Sequence, residues 1–325
     1  MALSLLATAR LMAQNQAQPV PPADAGAGTP PPTPPTSDAA AMPPPTLQAP
    51  KPTKHEVSVS GDVMMGSGTV TVPLGYSLIK ALGDNGGNLK PGTMSVSRDS
   101  MYFGGTVSYS YGQAWYLDLS YAQGESSGNQ SIDTSSGSFN FGKINSSFSI
   151  NDTWYQVFVK YTFPQLRGKR LSAYLRAGAS MVSAELKDDA VTYLGRYTQK
   201  DTTQDLLGNL GAGLGYTVYS SRHLRFGLQA EFEGFYGIRS QESLETLGAD
   251  PGGTFVKASI NNTLYGGIGR VTARVEYRLG QSGLFKIFGE VGAEGRYTMI
   301  EYPGAGTPDE MLWGPYAKIG LRYAF

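Results

Sequence analysis

From Lys54 to Phe325 the chain alternates apolar and polar residues in short runs, broken by clusters of Gly, Ser, Asn and Asp, and ten runs can be counted. They lie near 54–66, 100–111, 113–124, 152–164, 170–186, 205–219, 223–237, 263–279, 284–300 and 311–325. A period of two is the mark of a strand, whose successive side chains point to opposite faces. Each run is long enough for a tilted strand to cross a bilayer, which takes roughly nine to eleven residues. No segment approaches the eighteen or so consecutive apolar residues of a spanning helix. Any membrane crossing is therefore made by strands, and strands cross only as a closed barrel, because an open edge would leave backbone groups unpaired in lipid.

The connections constrain the fold further. Short turns fall at Gly112, Gln165–Lys169, Ser220–Arg222 and Gly280–Gly283, and long connections cover 67–99, 125–151, 187–204, 238–262 and 301–310. Membrane barrels have short turns on the periplasmic side and longer loops outside. This single alternation gives every connection a side and places both ends of a ten-stranded barrel in the periplasm. The sequence thus predicts an all-β fold, a transmembrane antiparallel up-and-down β-barrel over residues 54–325, with about ten strands and eight or twelve as alternatives.

Within the runs, one face is apolar and the other carries charge. Tyr155, Val157, Val159, Tyr161 and Phe163 oppose Gln156, Lys160 and Thr162; Leu224, Phe226, Leu228, Ala230 and Phe232 oppose Arg225, Gln229, Glu231 and Glu233; Val271, Ala273, Val275 and Tyr277 oppose Arg270, Thr272, Arg274 and Glu276. An Arg or Lys facing lipid at mid-bilayer costs roughly 2–4 kcal/mol, so in a membrane the charged face looks inward. A water-soluble sandwich would reverse the two faces. Aromatic residues at the run ends favour the membrane: Tyr109, Tyr111, Trp115, Phe163, Tyr219, Tyr277, Phe285 and Tyr323 on the short-turn side, and Tyr121, Tyr297 and Trp313 on the other. Two such belts mark the two interfaces of a bilayer.

The chain ends Ile319-Gly320-Leu321-Arg322-Tyr323-Ala324-Phe325. This segment resembles the C-terminal signal of small Gram-negative outer-membrane β-barrel proteins, closely over about ten residues and by pattern elsewhere. Pro315 departs from it, since proline cannot donate to a ladder. The resemblance implies that Leu321, Tyr323 and Phe325 are read by the barrel-assembly machinery. It implies a bacterial outer-membrane location, with outer-membrane lipid and lipopolysaccharide as partners, long loops outside and the N-terminal arm in the periplasm. Enzymes of this kind, the protease, phospholipase and lipid-A deacylase types, use a His near the outer rim beside Asp or Ser. The two histidines here, His55 before the first run and His223 at a short turn, lie on the opposite side. No catalytic residue is assigned, and the protein is read as non-enzymatic.

The inward charges change sign from strand to strand: Glu231 and Glu233, then Arg270 and Arg274, then Glu290 and Glu294, then Lys318 and Arg322. Counted from the short-turn side, Glu231, Arg270, Glu290 and Lys318 stand at similar height. Charges of opposite sign in a confined lumen pair, because an isolated buried charge is costly, and barrels near eight strands are filled by side chains. A largely salt-bridged lumen is expected, with Gly211, Gly213 and Gly215 facing inward and leaving a narrow passage. Gly208–Gly215 lies in a period-two strand with no helix following and is no phosphate cradle. Asp188, Asp189 and Asp250 are read as solvated acids of external loops.

Composition closes off other classes. There is no Cys, the formal net charge is zero and no basic block with interleaved aromatics occurs, so no thiol metal site, redox motif or nucleic-acid partner is expected, and no cofactor. Residues 1–17 read as a truncated secretory signal, apolar and ending in small residues but without a basic start. Residues 18–53 are Pro, Ala and Thr with almost no large apolar residue, a disordered periplasmic linker that can extend on the order of 100 Å as polyproline II. The leading function is a monomeric envelope protein acting in structure or tethering, with residues 18–53 touching the cell wall or a periplasmic partner. One alternative is a narrow passive channel for small, anionic solutes. Another is a surface adhesin or receptor using loops 67–99, 125–151 and 238–262, whose Ser, Gly, Asn and Thr content suits exposed segments.

Overall fold

The computed structural model describes residues 55–74, 92–112, 114–133, 143–166, 170–192, 195–248, 254–280, 283–302, 307 and 309–325. The segments read as signal and linker, 1–17 and 18–53, lie outside the described residues, as does Asp250. Ten strands follow in chain order: β1 (His55–Leu74), β2 (Gly92–Tyr111), β3 (Trp115–Asp133), β4 (Lys143–Thr162), β5 (Leu171–Thr192), β6 (Gly195–Ser220), β7 (Leu224–Gly248), β8 (Thr254–Leu279), β9 (Phe285–Glu301) and β10 (Asp309–Ala324). Each pairs antiparallel with its neighbours in sequence, and β1 pairs with β10, so the sheet is a closed barrel. The expected count of ten holds, and the alternatives of eight and twelve do not.

Closure carries a stagger. Cross-strand pairs followed once round run Ser58, Ser108, Asp118, Phe158, Gly178, Asn209, Phe235, Gly266, Thr298, Glu310 and return to β1 at Val70, 12 residues beyond Ser58. Such a shear tilts the strands against the barrel axis. At the short-turn end, Gly112 and Gly280 take φ of 61° and 70°, a left-handed conformation that glycine adopts without steric cost. The seam is sealed by the chain's last residue: Phe325 N–H donates to the His55 carbonyl at 3.0 Å, and His55 N–H to the Phe325 carbonyl at 3.3 Å.

The short-turn ends of the runs agree with the strands within two residues, as do the outer ends of the last two, but the outer ends of the first eight do not. Residues 67–74, 92–99, 125–133, 143–151, 187–192, 195–204, 238–248 and 254–262, read from sequence as loop, continue the ladders as strand. Asp188 and Asp189 accordingly sit in β5 rather than in a loop. Asp188 is buried, and Asp189 is hydrogen-bonded to Arg196, whose guanidinium holds the carboxyl below the usual carboxylate range. The reason is that beyond the lipid band the outer face of a strand no longer needs apolar residues, while the inner face carries buried polar residues such as Asp201, Gln241 and Ser243. The apolar alternation fades there while backbone pairing persists.

The exterior is the apolar face. Leu210, Ile319 and Leu206 are 70%, 68% and 67% exposed, and the lipid-side residues anticipated on β4, β7 and β8 lie on this face. At the short-turn rim the aromatic belt is in ring contact: Tyr323 stacks on Phe325 at 5.8 Å and Phe325 on His55 at 5.6 Å, while Phe285 meets Tyr323 at 4.5 Å and Trp115 meets Tyr161 at 4.8 Å with tilted rings. Tyr219 belongs to this belt only through a bulge between Thr217 and Tyr219, which turns it outward while Thr217 stays buried. Pro315 points outward within β10. It pairs with Ala293 of β9, and the β1–β10 ladder skips it, resuming at Trp313.

Candidate functional site

The lumen holds every charge assigned inward from sequence. Glu231 of β7 stands opposite Arg270 of β8, Arg270 opposite Glu294 of β9, Arg274 opposite Glu290, and Lys318 of β10 opposite Glu290. Of the residues read at like height, Glu231 and Arg270, and Glu290 and Lys318, are cross-strand partners, whereas Arg270 and Glu290 are not, because the β8–β9 register sets Arg270 against Glu294. Arg270 bonds to Glu294 and approaches Glu231 at 3.6 Å; Arg274 bonds to Glu290 at 2.8 Å; Arg322 reaches Glu56 at 2.8 Å and Glu276 at 3.5 Å. Glu233 bonds to Arg176 of β5, which also holds Glu231 at 2.6 Å. Lys318 has no ion pair or hydrogen bond to a described residue.

Sequence reasoning put Lys160 and Glu276 on the inward face without joining them to the network, and passed over Glu56, Asp118, Arg176 and Arg296, which complete it, and the rings laid against it. Arg270 lies over Tyr316 at 4.2 Å, Arg274 over Phe288 at 4.6 Å, Arg176 over Phe158 at 4.7 Å, and Arg296 over Tyr102 and Trp154 at 4.5 and 5.1 Å. A guanidinium is weakly hydrated and stacks on aromatic faces, so a ring partner offsets part of its desolvation. The signal for these rings was present in the sequence. Tyr102, Trp154, Phe158, Phe288 and Tyr316 fall on the charged parity of their strands, as Tyr116, Tyr174 and Phe235 also do.

At mid-height several of these side chains pack into one cluster inside the lumen. Arg296 is bonded to Glu294 at 2.7 Å and covered by Tyr102 and Trp154, and Met64, Tyr102, Leu312 and Tyr316 pack beside it with Leu312 and Met64 1% and 2% exposed. Tyr102 donates to Asp152 at 2.9 Å, which fixes the ring in the cluster. Two cavities lie on either side and share Trp154, Ile268 and Arg296 as lining. The one nearer the short turns measures about 360 Å³ and is bounded by the charge network and by Ser58, Ser60, Thr106 and Ser120. The outer one measures about 140 Å³. It has an apolar wall of Val182, Leu207, Phe235, Leu264 and Ile300 facing Asp201 and the Arg239–Asp205 pair at 2.8 Å. Ion pairs thus occur in both halves of the lumen, Arg98 with Glu310 and Arg239 with Asp205 in the outer one, where they stand beside the apolar wall and a buried hydrogen-bonded group of Gln199, Asp201, Gln241 and Ser243.

Gly211, Gly213 and Gly215 face inward as expected, but no passage follows. A side-chain carbon at 213 would fall on the Tyr174 ring, one at 211 would crowd Arg176, and one at 215 would crowd Ser172. The β5 side chains lean into the space the glycines leave, and Tyr174 is anchored there by donating to Glu231. Both histidines sit at the short-turn rim, His55 beside Tyr109 with 2.7 Å from Nδ1 to the hydroxyl and His223 against Tyr277. Among the described residues no group of His, Cys, Asp and Glu has the arrangement of a metal site. Leu321, Tyr323 and Phe325 all point outward from β10.

No protein-family model matches the chain, and no curated protein sequence does. Among solved structures, the outer membrane protease OmpT from Escherichia coli matches with a TM-score of 0.52 at 11% identity, over 85% of this chain and 98% of that one. The transport unit of the autotransporter AIDA-I from Escherichia coli gives 0.38 at 10% identity, over 87% and 93% of the two chains. The outer membrane protein OprG from Pseudomonas aeruginosa gives 0.33 at 12% identity, over 84% and 97%. At such identity the likeness to the protease reaches the backbone and not its chemistry. The chain has the fold of the outer-membrane β-barrels.

Proposed function

We propose that the protein is a non-enzymatic, monomeric outer-membrane barrel whose lumen is closed to passive solute flow, serving envelope structure with its strand extensions outside and residues 18–53 reaching the cell wall from the periplasmic side. The observation that carries the closed lumen is the cluster of Tyr102, Arg296 and Trp154, tied down by Glu294 and Asp152 between the two cavities. The placement of both histidines at the short-turn rim supports the non-enzymatic reading, because it leaves no imidazole among the charges of the lumen. Single-channel recording of the purified barrel in a planar bilayer tests it. Wild type is expected to be silent once insertion is verified, and Tyr102→Ala with Trp154→Ala and Arg296→Ala is expected to conduct. Steady wild-type conductance would overturn the closed lumen and favour the channel. Deleting residues 18–53 is expected to abolish co-sedimentation with peptidoglycan, and retained co-sedimentation would remove the tether from the proposal.

A further inference from the structure

Asp62 of β1 and Lys318 of β10 are cross-strand partners of opposite charge, both half-buried and both lining the larger cavity, yet they make neither an ion pair nor a hydrogen bond with each other or with any described residue. The charges around them are engaged: Glu290 with Arg274 at 2.8 Å, Arg270 with Glu294, and Lys160 with Asp118 at 3.2 Å. On the far side of Asp62 the cross-strand residue is Gly104, which puts no side chain into the lumen. An acid and a base therefore stand open, side by side, on the wall of a water-accessible chamber of about 360 Å³.

Ligand chemistry follows from that arrangement. A simple anion would satisfy Lys318 while standing against Asp62, and a simple cation would do the reverse, so each gains from one charge what it loses to the other. A molecule carrying an ammonium and a carboxylate close together satisfies both. We infer that Asp62 and Lys318 form a binding site for a small zwitterion of the amino-acid class, its ammonium on Asp62 and its carboxylate on Lys318. The neighbouring hydroxyls of Ser60 and Thr106 offer a polar wall to the rest of the molecule. This site goes beyond the structural role proposed above and does not depend on the lumen being closed.

Titration calorimetry of the full-length folded barrel in detergent tests the site, with glycine and β-alanine as zwitterions and acetate and methylammonium as single-charge probes. At least one zwitterion is expected to bind, and neither single-charge probe. Asp62→Asn and Lys318→Met are each expected to weaken zwitterion binding at least tenfold, and Asp62→Asn to gain acetate binding as the repulsion disappears. Heat-modifiable gel mobility verifies folding. If a single variant fails to fold, the double variant, which removes both charges together, replaces it and is expected not to bind. No heat beyond dilution with either zwitterion, acetate binding as tight as the zwitterions, or unchanged affinity in the folded variants would each overturn the site.

Discussion

Glu294 is the most committed residue of the lumen. Its side chain is 1% exposed and accepts from both Arg270 and Arg296. Water cannot reach it to replace either partner, so removing its charge would leave two guanidinium groups undercompensated in a low-dielectric interior. Breaking a buried pair in this way typically costs about 3–5 kcal/mol, and Glu294→Gln is expected to lower stability by that amount in urea unfolding from lipid vesicles. Arg296→Met should cost less, because Glu294 keeps Arg270 and the methionine can fill the slot between Tyr102 and Trp154. A double-mutant cycle between 294 and 296 is expected to show a coupling of about 0.5–3 kcal/mol. Additive losses would mean that the two residues act independently and that the cluster is held by the rings alone.

At the scale of the strands, the boundary between lipid and water is set by the exterior face and not by the length of the ladder. β8 offers Val271, 63% exposed, about eight residues above the end of the strand, between the short-turn belt at Tyr277 and the outer aromatics. β6 offers Gln204, also outward but far above its own belt residue Tyr219. Val271→Arg is expected to cost roughly 2–4 kcal/mol, the penalty for a cation on lipid at mid-bilayer. Gln204→Arg is expected to stay within about 0.5 kcal/mol, as for an ordinary surface change. Equal penalties in vesicle-unfolding measurements would mean that lipid covers the extensions as well. The same distinction explains why the short-turn ends were legible in sequence and the outer ends were not. A strand segment such as Thr202-Thr203-Gln204-Asp205 is polar on both faces and shows no alternation to read.

For the molecule as a whole, closure is made by the β1–β10 ladder and the backbone pair beside it. Phe325 exchanges two backbone hydrogen bonds with His55 and stacks on His55 and Tyr323, joining the last residue of the chain to the first residue of β1. Deleting Phe325 removes both bonds at the seam and one ring of the belt. It is expected to slow folding into lipid vesicles, followed by gel mobility, more than Phe325→Tyr, which keeps the backbone pair and the ring. If the deletion folds at the wild-type rate, the seam forms without its last residue and the terminal aromatic serves recognition alone.

The period of two, the order of short and long connections and the parity of charged and apolar residues pointed to about ten strands, their antiparallel order, the apolar exterior and the identity of the inward charges. Each is a local property, set by backbone pleat or by turn stereochemistry within a few residues. Which charges meet was decided by the tertiary structure. The 12-residue stagger is the sum of the registers round the barrel, and the β8–β9 register, which pairs Leu279 with Phe285 at the short turn, places Arg270 against Glu294 rather than Glu290. Closure also brought distant rings such as Tyr102 and Trp154 onto one guanidinium, and it left Asp62 and Lys318 adjacent but unjoined. Tyr102 and Arg296, like Asp62 and Lys318, lie far apart along the chain, and no periodicity along a single strand encodes such contacts.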